Sequence, residues 1–372
     1  MNIATGRRVL MPVGNVALDL MGGSRLAWQE RKAQAFIFTP IACGSAALAQ
    51  DQQTGECAGR YIRSKDYAGN EPDLALPGEG VSLATAVALS GAAASPSMGY
   101  HSSPATAFLM TLFNVRLGAW LPNPELKNLS ADEAKASAPK NALSPLLREL
   151  LGLTDARGDS VYLSDGGHFE NLGLYEVVRR RCRFIVVSDA GCDPGVTFAD
   201  LGNALRKIRI DLNVNITIDT VNIASRAEWQ RDKSSFFALG TVHYPEGDGK
   251  LLYIKPACHH DIPADVRAYA LASKDFPHES TADQWFSESQ FESYRSLGAN
   301  LVDRLGEQTD EDCPRPKPYG SGDVAKFFED VSKVAQAKQG RTAKPCRPSH
   351  KLNGRRLRPF RPGACGGRFS RR

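Results

Sequence analysis

The sequence predicts an α/β fold with a mainly parallel sheet flanked by helices. Two observations carry this. From Val161 to Asp219 the pattern alternates strand, loop, helix, strand, helix, strand, the order that parallel strands with crossover helices require. Hydrophobic residues make up 42% of the 372 residues against 23% charged, enough for a packed core, and no internal repeat points to a solenoid.

Each element has a local chemical cause. Residues 1–34 read as loop and then a charged helix, Leu26–Ala35, followed by a short strand, Phe36–Pro40. Residues 44–80 are rich in Gly and Pro and read as loop. Ser82 is placed to cap an apolar helix, Leu83–Ala94, which Ser95-Pro96 ends. A second apolar helix spans Pro104–Leu117, residues 122–143 form a surface insertion or linker, and Pro145–Leu153 is a short helix. The alternating centre consists of the strand Val161–Ser164, the helix Leu174–Arg181, the strand Phe184–Ser188, the helix Thr197–Leu212 and the strand Val214–Asp219. Phe236–Tyr244 and Lys250–Lys255, joined around Gly247-Asp248-Gly249, form a hairpin at the sheet edge. Trp285–Leu305 is a long closing helix, and Asp323–Ala337 a further one. The chain divides into a body, 1–310, and a Pro- and Arg-rich basic tail, 311–372, expected to be largely disordered.

Charge supports that division. Lys and Arg number 46 and Asp and Glu 41, but eleven basic residues and no acidic one lie in 341–372. Without them 35 basic residues face 41 acidic ones, so the body is mildly acidic and no nucleic-acid partner is expected for it. The region Val81–Leu121 is apolar but broken by Pro96, His101, Pro104, Asn114 and Arg116, so no spanning helix is expected. The first fifteen residues lack an apolar signal segment. Eight cysteines, none in CxxC spacing, suit reduced thiols in a cytoplasmic compartment.

The chemistry concentrates in Tyr162–Gly191. Asp165 ends a strand, and Gly166 and Gly167 come directly after it, allowing positive φ and close backbone approach. An acid in that position suits a general base at the carboxyl end of a strand, and it equally suits a turn cap. His168 and Glu170 form H-x-E, which reads either as a weak metal signal or as hydrogen bonding around the Asp165 loop. Cys258-His259-His260-Asp261 reads as an edge loop. Arg179, Arg180, Arg181 and Arg183 suit anionic head groups or a solvated helix face.

This stretch resembles the aspartate region of patatin-like phospholipases and is similar to the corresponding segment of the cytosolic phospholipase family. Asp165-Gly166-Gly167 matches their aspartate motif, and Asn171-Leu172, Arg179–Arg181 and Phe184–Asp189 match the segments C-terminal to that motif. LAWQERK at 26–32, LSGAAASPSMGYHSSPA at 89–105 and FPHESTADQWFSESQFESYRSLG at 276–298 resemble large bacterial patatin-like proteins, so the likeness covers roughly 10–305. It implies an acyl-hydrolase core, a Ser–Asp dyad acting on phospholipid or another lipid ester, Asp165 as general base, and a supporting loop of Gly166, Gly167, His168 and Asn171. It also implies no cofactor and no metal, and peripheral contact with a membrane. The aspartate takes the serine proton directly, and backbone N–H groups stabilise the oxyanion.

The nucleophile is missing from this pattern. Gly pairs spaced by four enclose Cys57, Asp193 and Cys365, never serine, and no G-G-G-x-R loop is present. Ser90, Ser24 and Cys57 each lie in a setting unlike a nucleophile elbow. The resemblance therefore implies a core incomplete at its N-terminus, from a truncated, split or decayed gene, with little activity alone and a missing N-terminal partner segment. The competing reading is a non-catalytic pseudoenzyme or fragment that binds lipid surfaces or an upstream partner. A nucleic-acid module would rest on the tail alone.

Overall fold

The computed structural model describes residues 10–21, 31–49, 59–67, 80–92, 118–125, 143–218, 235–259, 261–280, 285–307 and 323–340, with Ile223, Ser225, Arg226 and Asp283. The expected helix over 104–117, residues 311–322 and 341–372 of the tail, Ser24 and Cys57 lie outside them, while Val324–Gly340, inside the tail expected to be largely disordered, is helix. The strands are β1 (Gly14–Asp19), β2 (Ala33–Phe38), β3 (Ala42–Ser45), β4 (Arg60–Arg63), β5 (Ala119–Pro122), β6 (Ser160–Asp165), β7 (Phe184–Ser188), β8 (Asn215–Ile218), β9 (Phe237–His243) and β10 (Gly249–Ile254). The helices are α1 (Leu83–Ser90), α2 (Leu143–Leu150), α3 (Leu174–Arg179), α4 (Ala199–Leu212), α5 (Ala264–Ala272), α6 (Glu288–Glu307) and α7 (Val324–Gly340).

The class is mixed α/β, but the sheet is not mainly parallel. Six strands form one sheet in the order β4-β3-β2-β1-β6-β5, and every pairing is antiparallel. Four strands form a second sheet in the order β7-β10-β9-β8, where only β7 and β10 run parallel. The reason lies in segments without a strong strand signature. Gly14–Asp19 and Ala119–Pro122 supply the strands that capture β6 into the first sheet, and Arg60–Arg63 adds its far edge beside β3. In the second, the β9–β10 hairpin is not at the edge. It inserts between β7 and β8, which keep one direction but no longer touch. The C-terminal end of the expected helix Leu26–Ala35 is also strand, since Ala33 opens β2.

Alternation explains why these strands pair. On the first sheet Val16, Leu18, Phe36, Phe38, Val161 and Leu163 face a small core under α1, whose N-terminus Ser82 caps by accepting the Thr85 N–H. Ala17 and Ala33 face the other way, into the larger core of α3, α4 and the second sheet. Small residues there let α3 approach the sheet. α7 adds Phe328 and Val331 to the larger core, with the Phe328 ring 5.2 Å from that of Phe184.

Candidate active site

β6 delivers Asp165 to the end of the first sheet, where the chain turns through a single 3-10 turn, Gly166–His168. The Asp165 side chain is half-buried, and its Oδ1 accepts the Gly167 N–H at 2.6 Å. Oδ2 makes no hydrogen bond among the described residues. The glycines serve close approach rather than positive φ. A Cβ on Gly166 would stand 2.5 Å from the Asn15 carbonyl oxygen of β1, and one on Gly167 would collide with Asn171 Oδ1. The glycine that does need positive φ is Gly173, at 66°, which starts α3.

Neighbouring elements hold this turn on several sides. Asn171 Nδ2 donates to Asp200 Oδ1 in the first turn of α4 at 3.0 Å. Lys207, further along α4, donates to the Phe169 carbonyl and lies 4.4 Å from the centre of the Phe169 ring. Burial, and then the Arg31 charge, lowers the Lys207 pKa to about 8. Glu170 turns inward and accepts the Leu172 and Tyr175 N–H groups at the start of α3, although burial raises its pKa. Arg31 makes a bidentate pair with Asp211, at 2.8 and 2.7 Å, that ties the approach to β2 to the end of α4.

His168 Nδ1 lies 2.9 Å from Ser164 Oγ, which lies 2.9 Å from Asp19 Oδ2. Asp19 and Ser164 are fully buried and are not singled out by the sequence pattern. They sit on the same face of adjacent strands, since Ala17 pairs with Ser164 and Asp19 lies two residues beyond Ala17. Desolvation raises the Asp19 pKa well above that of an ordinary carboxylate, with Glu149 adding to it. A small cleft opens beside Gly166, Asn15 and Phe169, and a second, which shares Ala35, Tyr175 and Glu176 with it, reaches Tyr61 and Arg179.

The other candidates are engaged elsewhere. Ser90 ends α1 and donates to the Asn15 carbonyl at 2.7 Å, not to Asp165. Arg179 and Arg180 both bind the buried Glu176 carboxylate, at 2.7 and 2.6 Å, and Arg181 stacks over Tyr244. His259 bonds Asn300 at 3.0 Å, and Asp261 pairs with Arg304. No group of three His, Cys, Asp or Glu side chains among the described residues is arranged to hold a metal ion.

A second polar cluster stands at the parallel ends of β7 and β10. Lys255, 1% exposed, pairs with Asp189 at 3.0 Å and with Asp193 at 3.6 Å. The Tyr253 hydroxyl also donates to Asp189 Oδ2, and Oδ1 accepts the Gly191 N–H at 2.9 Å. Asp193 holds the Thr197 and Phe198 N–H groups before α4 and so sets the position of Asp200.

Among solved structures, the chain is similar to human GIVD cytosolic phospholipase A2, with a TM-score of 0.45 and 11% identity over 88% of this chain. It spans 44% of the length of that structure. No protein-family model and no curated protein matches it.

Proposed function

We propose that this chain carries the base half of a serine acyl-hydrolase site acting on a lipid ester, with Asp165 as general base. The observation that carries the reading is the Asp165 turn itself. A half-exposed carboxylate stands at a strand end with one oxygen fixed by Gly167 N–H and the other unengaged among the described residues. The glycines after it leave no side chain between the carboxylate and an approaching hydroxyl. Such a group can take a proton directly once a serine is brought within about 3 Å. The cleft beside Gly166 offers apolar wall from Val16, Ala35 and Phe169.

No described serine hydroxyl bonds Asp165, and the 372 residues contain no G-x-S-x-G. The chain alone therefore turns over little ester. The same observation favours a second reading, a non-catalytic lipid-binding protein that keeps the turn but not the reaction. Short-chain nitrophenyl ester hydrolysis by the purified chain, with Asp165→Ala as control, tests the first. The expected rate is close to the blank, with any excess lost in Asp165→Ala. Excess turnover that Asp165→Ala retains would remove Asp165 as the base. A kcat on the order of 10 s⁻¹ would show that the chain holds its own nucleophile.

A further inference from the structure

The Asp19–Ser164–His168 chain has one question built into it: where the serine proton goes. A serine hydroxyl has one proton to give, and Ser164 Oγ lies 2.9 Å from both Asp19 Oδ2 and His168 Nδ1. If Ser164 donates to Asp19, His168 must donate through Nδ1–H, leaving Nε2 bare. If Asp19 is the acid, its proton goes to Ser164 Oγ, Ser164 donates to Nδ1, and the imidazole proton resides on Nε2.

We propose that Asp19 and Ser164 are positioning residues whose hydrogen-bond chain holds His168 as the Nε2–H tautomer, making the imidazole next to the Asp165 turn a hydrogen-bond donor. The surroundings of Asp19 favour this direction. The residue is 0% exposed, its Oδ1 has no hydrogen-bond partner and it has no ion pair among the described residues. The charge that acts on it is another carboxylate, Glu149. An ionised carboxylate in that setting is strongly disfavoured, whereas a neutral acid needs only the one bond that Ser164 provides. Burial acts in the same sense, raising the Asp19 pKa. Asp19 lies 145 positions from Ser164, and the β1–β6 pairing fixes the two side by side while His168 follows Ser164 by four residues, so the serine is held between both partners.

The consequence for chemistry rests on the hydrolase reading: the Asp165 turn then carries a proton acceptor and, three residues on, an imidazole whose proton sits on Nε2. Two titratable groups three residues apart thereby take opposite roles. The tautomer itself does not depend on that reading.

The test is imidazole nitrogen NMR on the full chain labelled with ¹⁵N-histidine, near neutral pH. The His168 signals are those that His168→Gln removes. A protonated Nε2 and a bare Nδ1 are expected in the wild type, and again in Asp19→Asn, whose amide donates as the acid does. Ser164→Ala is expected to lose the single tautomer and give a mixture. Nδ1–H with bare Nε2, or an imidazolium, in the wild type overturns the proposal. So does an unchanged Nε2–H signal in a folded Ser164→Ala. Should Ser164→Ala not fold, the wild-type spectrum decides alone. Ester turnover independent of Asp165 would sink the hydrolase reading and leave this tautomer assignment standing.

Discussion

Lys207 shows at the scale of one residue what it costs to fasten the Asp165 turn. Its ammonium group is buried against the Phe169 carbonyl and ring, and burial lowers its pKa from 10.5 to about 8. The folded state therefore holds fewer protons than the unfolded state between those two values. Stability must rise with pH in that window, by at most about 1.4 kcal/mol per unit, because the penalty of burying the charge disappears as the lysine neutralises. Denaturant unfolding between about pH 8 and pH 10 is expected to show this rise in the wild type and a flatter curve in Lys207→Met. Equal slopes would show that the group keeps its ordinary titration. Asp165 is legible from sequence because Asp-Gly-Gly after a strand is a local signal. Asp19 and Ser164 are not, because their contact joins residues 145 positions apart. A lone buried aspartate at the end of an apolar run, VALD, is the one hint the sequence offers.

Among the elements, the β7–β10 pair depends on a charge cluster rather than on apolar packing alone. Lys255 and Asp189 leave the parallel strands side by side, and their ion pair is enclosed. Removing one partner leaves the other buried and uncompensated, so Lys255→Met is expected to lower unfolding free energy by about 3–5 kcal/mol. Lys255→Met combined with Asp189→Asn is expected to recover part of that. A single-variant loss below about 1 kcal/mol in urea titration would show instead that water reaches the pair. The element pattern explains which parts of the fold the sequence revealed. Phe184–Ser188 coincides with β7, and the hairpin strands and α3, α4, α6 and α7 fall within a few positions of their predicted bounds, since apolar runs and turn residues mark them, whereas α5 has no predicted counterpart. Pairing direction was hidden. Alternating strand and helix patterns suit a parallel sheet, but the direction depends on which strands become neighbours, and β1, β4 and β5 are short or glycine-bordered segments with weak signatures.

Taken as a whole, the molecule places its candidate site at the end of the first sheet, beside the larger core that α3 and α4 share with the second. Ala17 and Ala33 carry the first sheet into the larger core, the Asp165 turn leaves that sheet, and α4 fastens the turn through Asp200 and Lys207. Among the described residues no helix is long and apolar enough to cross a membrane. The central claim is that the Asp165 turn is a lipid-ester site, whether or not this chain completes the reaction. Backbone amide NMR of the full chain, titrated with a non-hydrolysable diether phospholipid of short chain length kept monomeric, tests it most directly. Saturable shifts of the Gly166, Gly167, His168 and Asn171 signals, with Gly191 and Lys255 unmoved, are the predicted result. A titration that leaves those four signals in place would contradict the account.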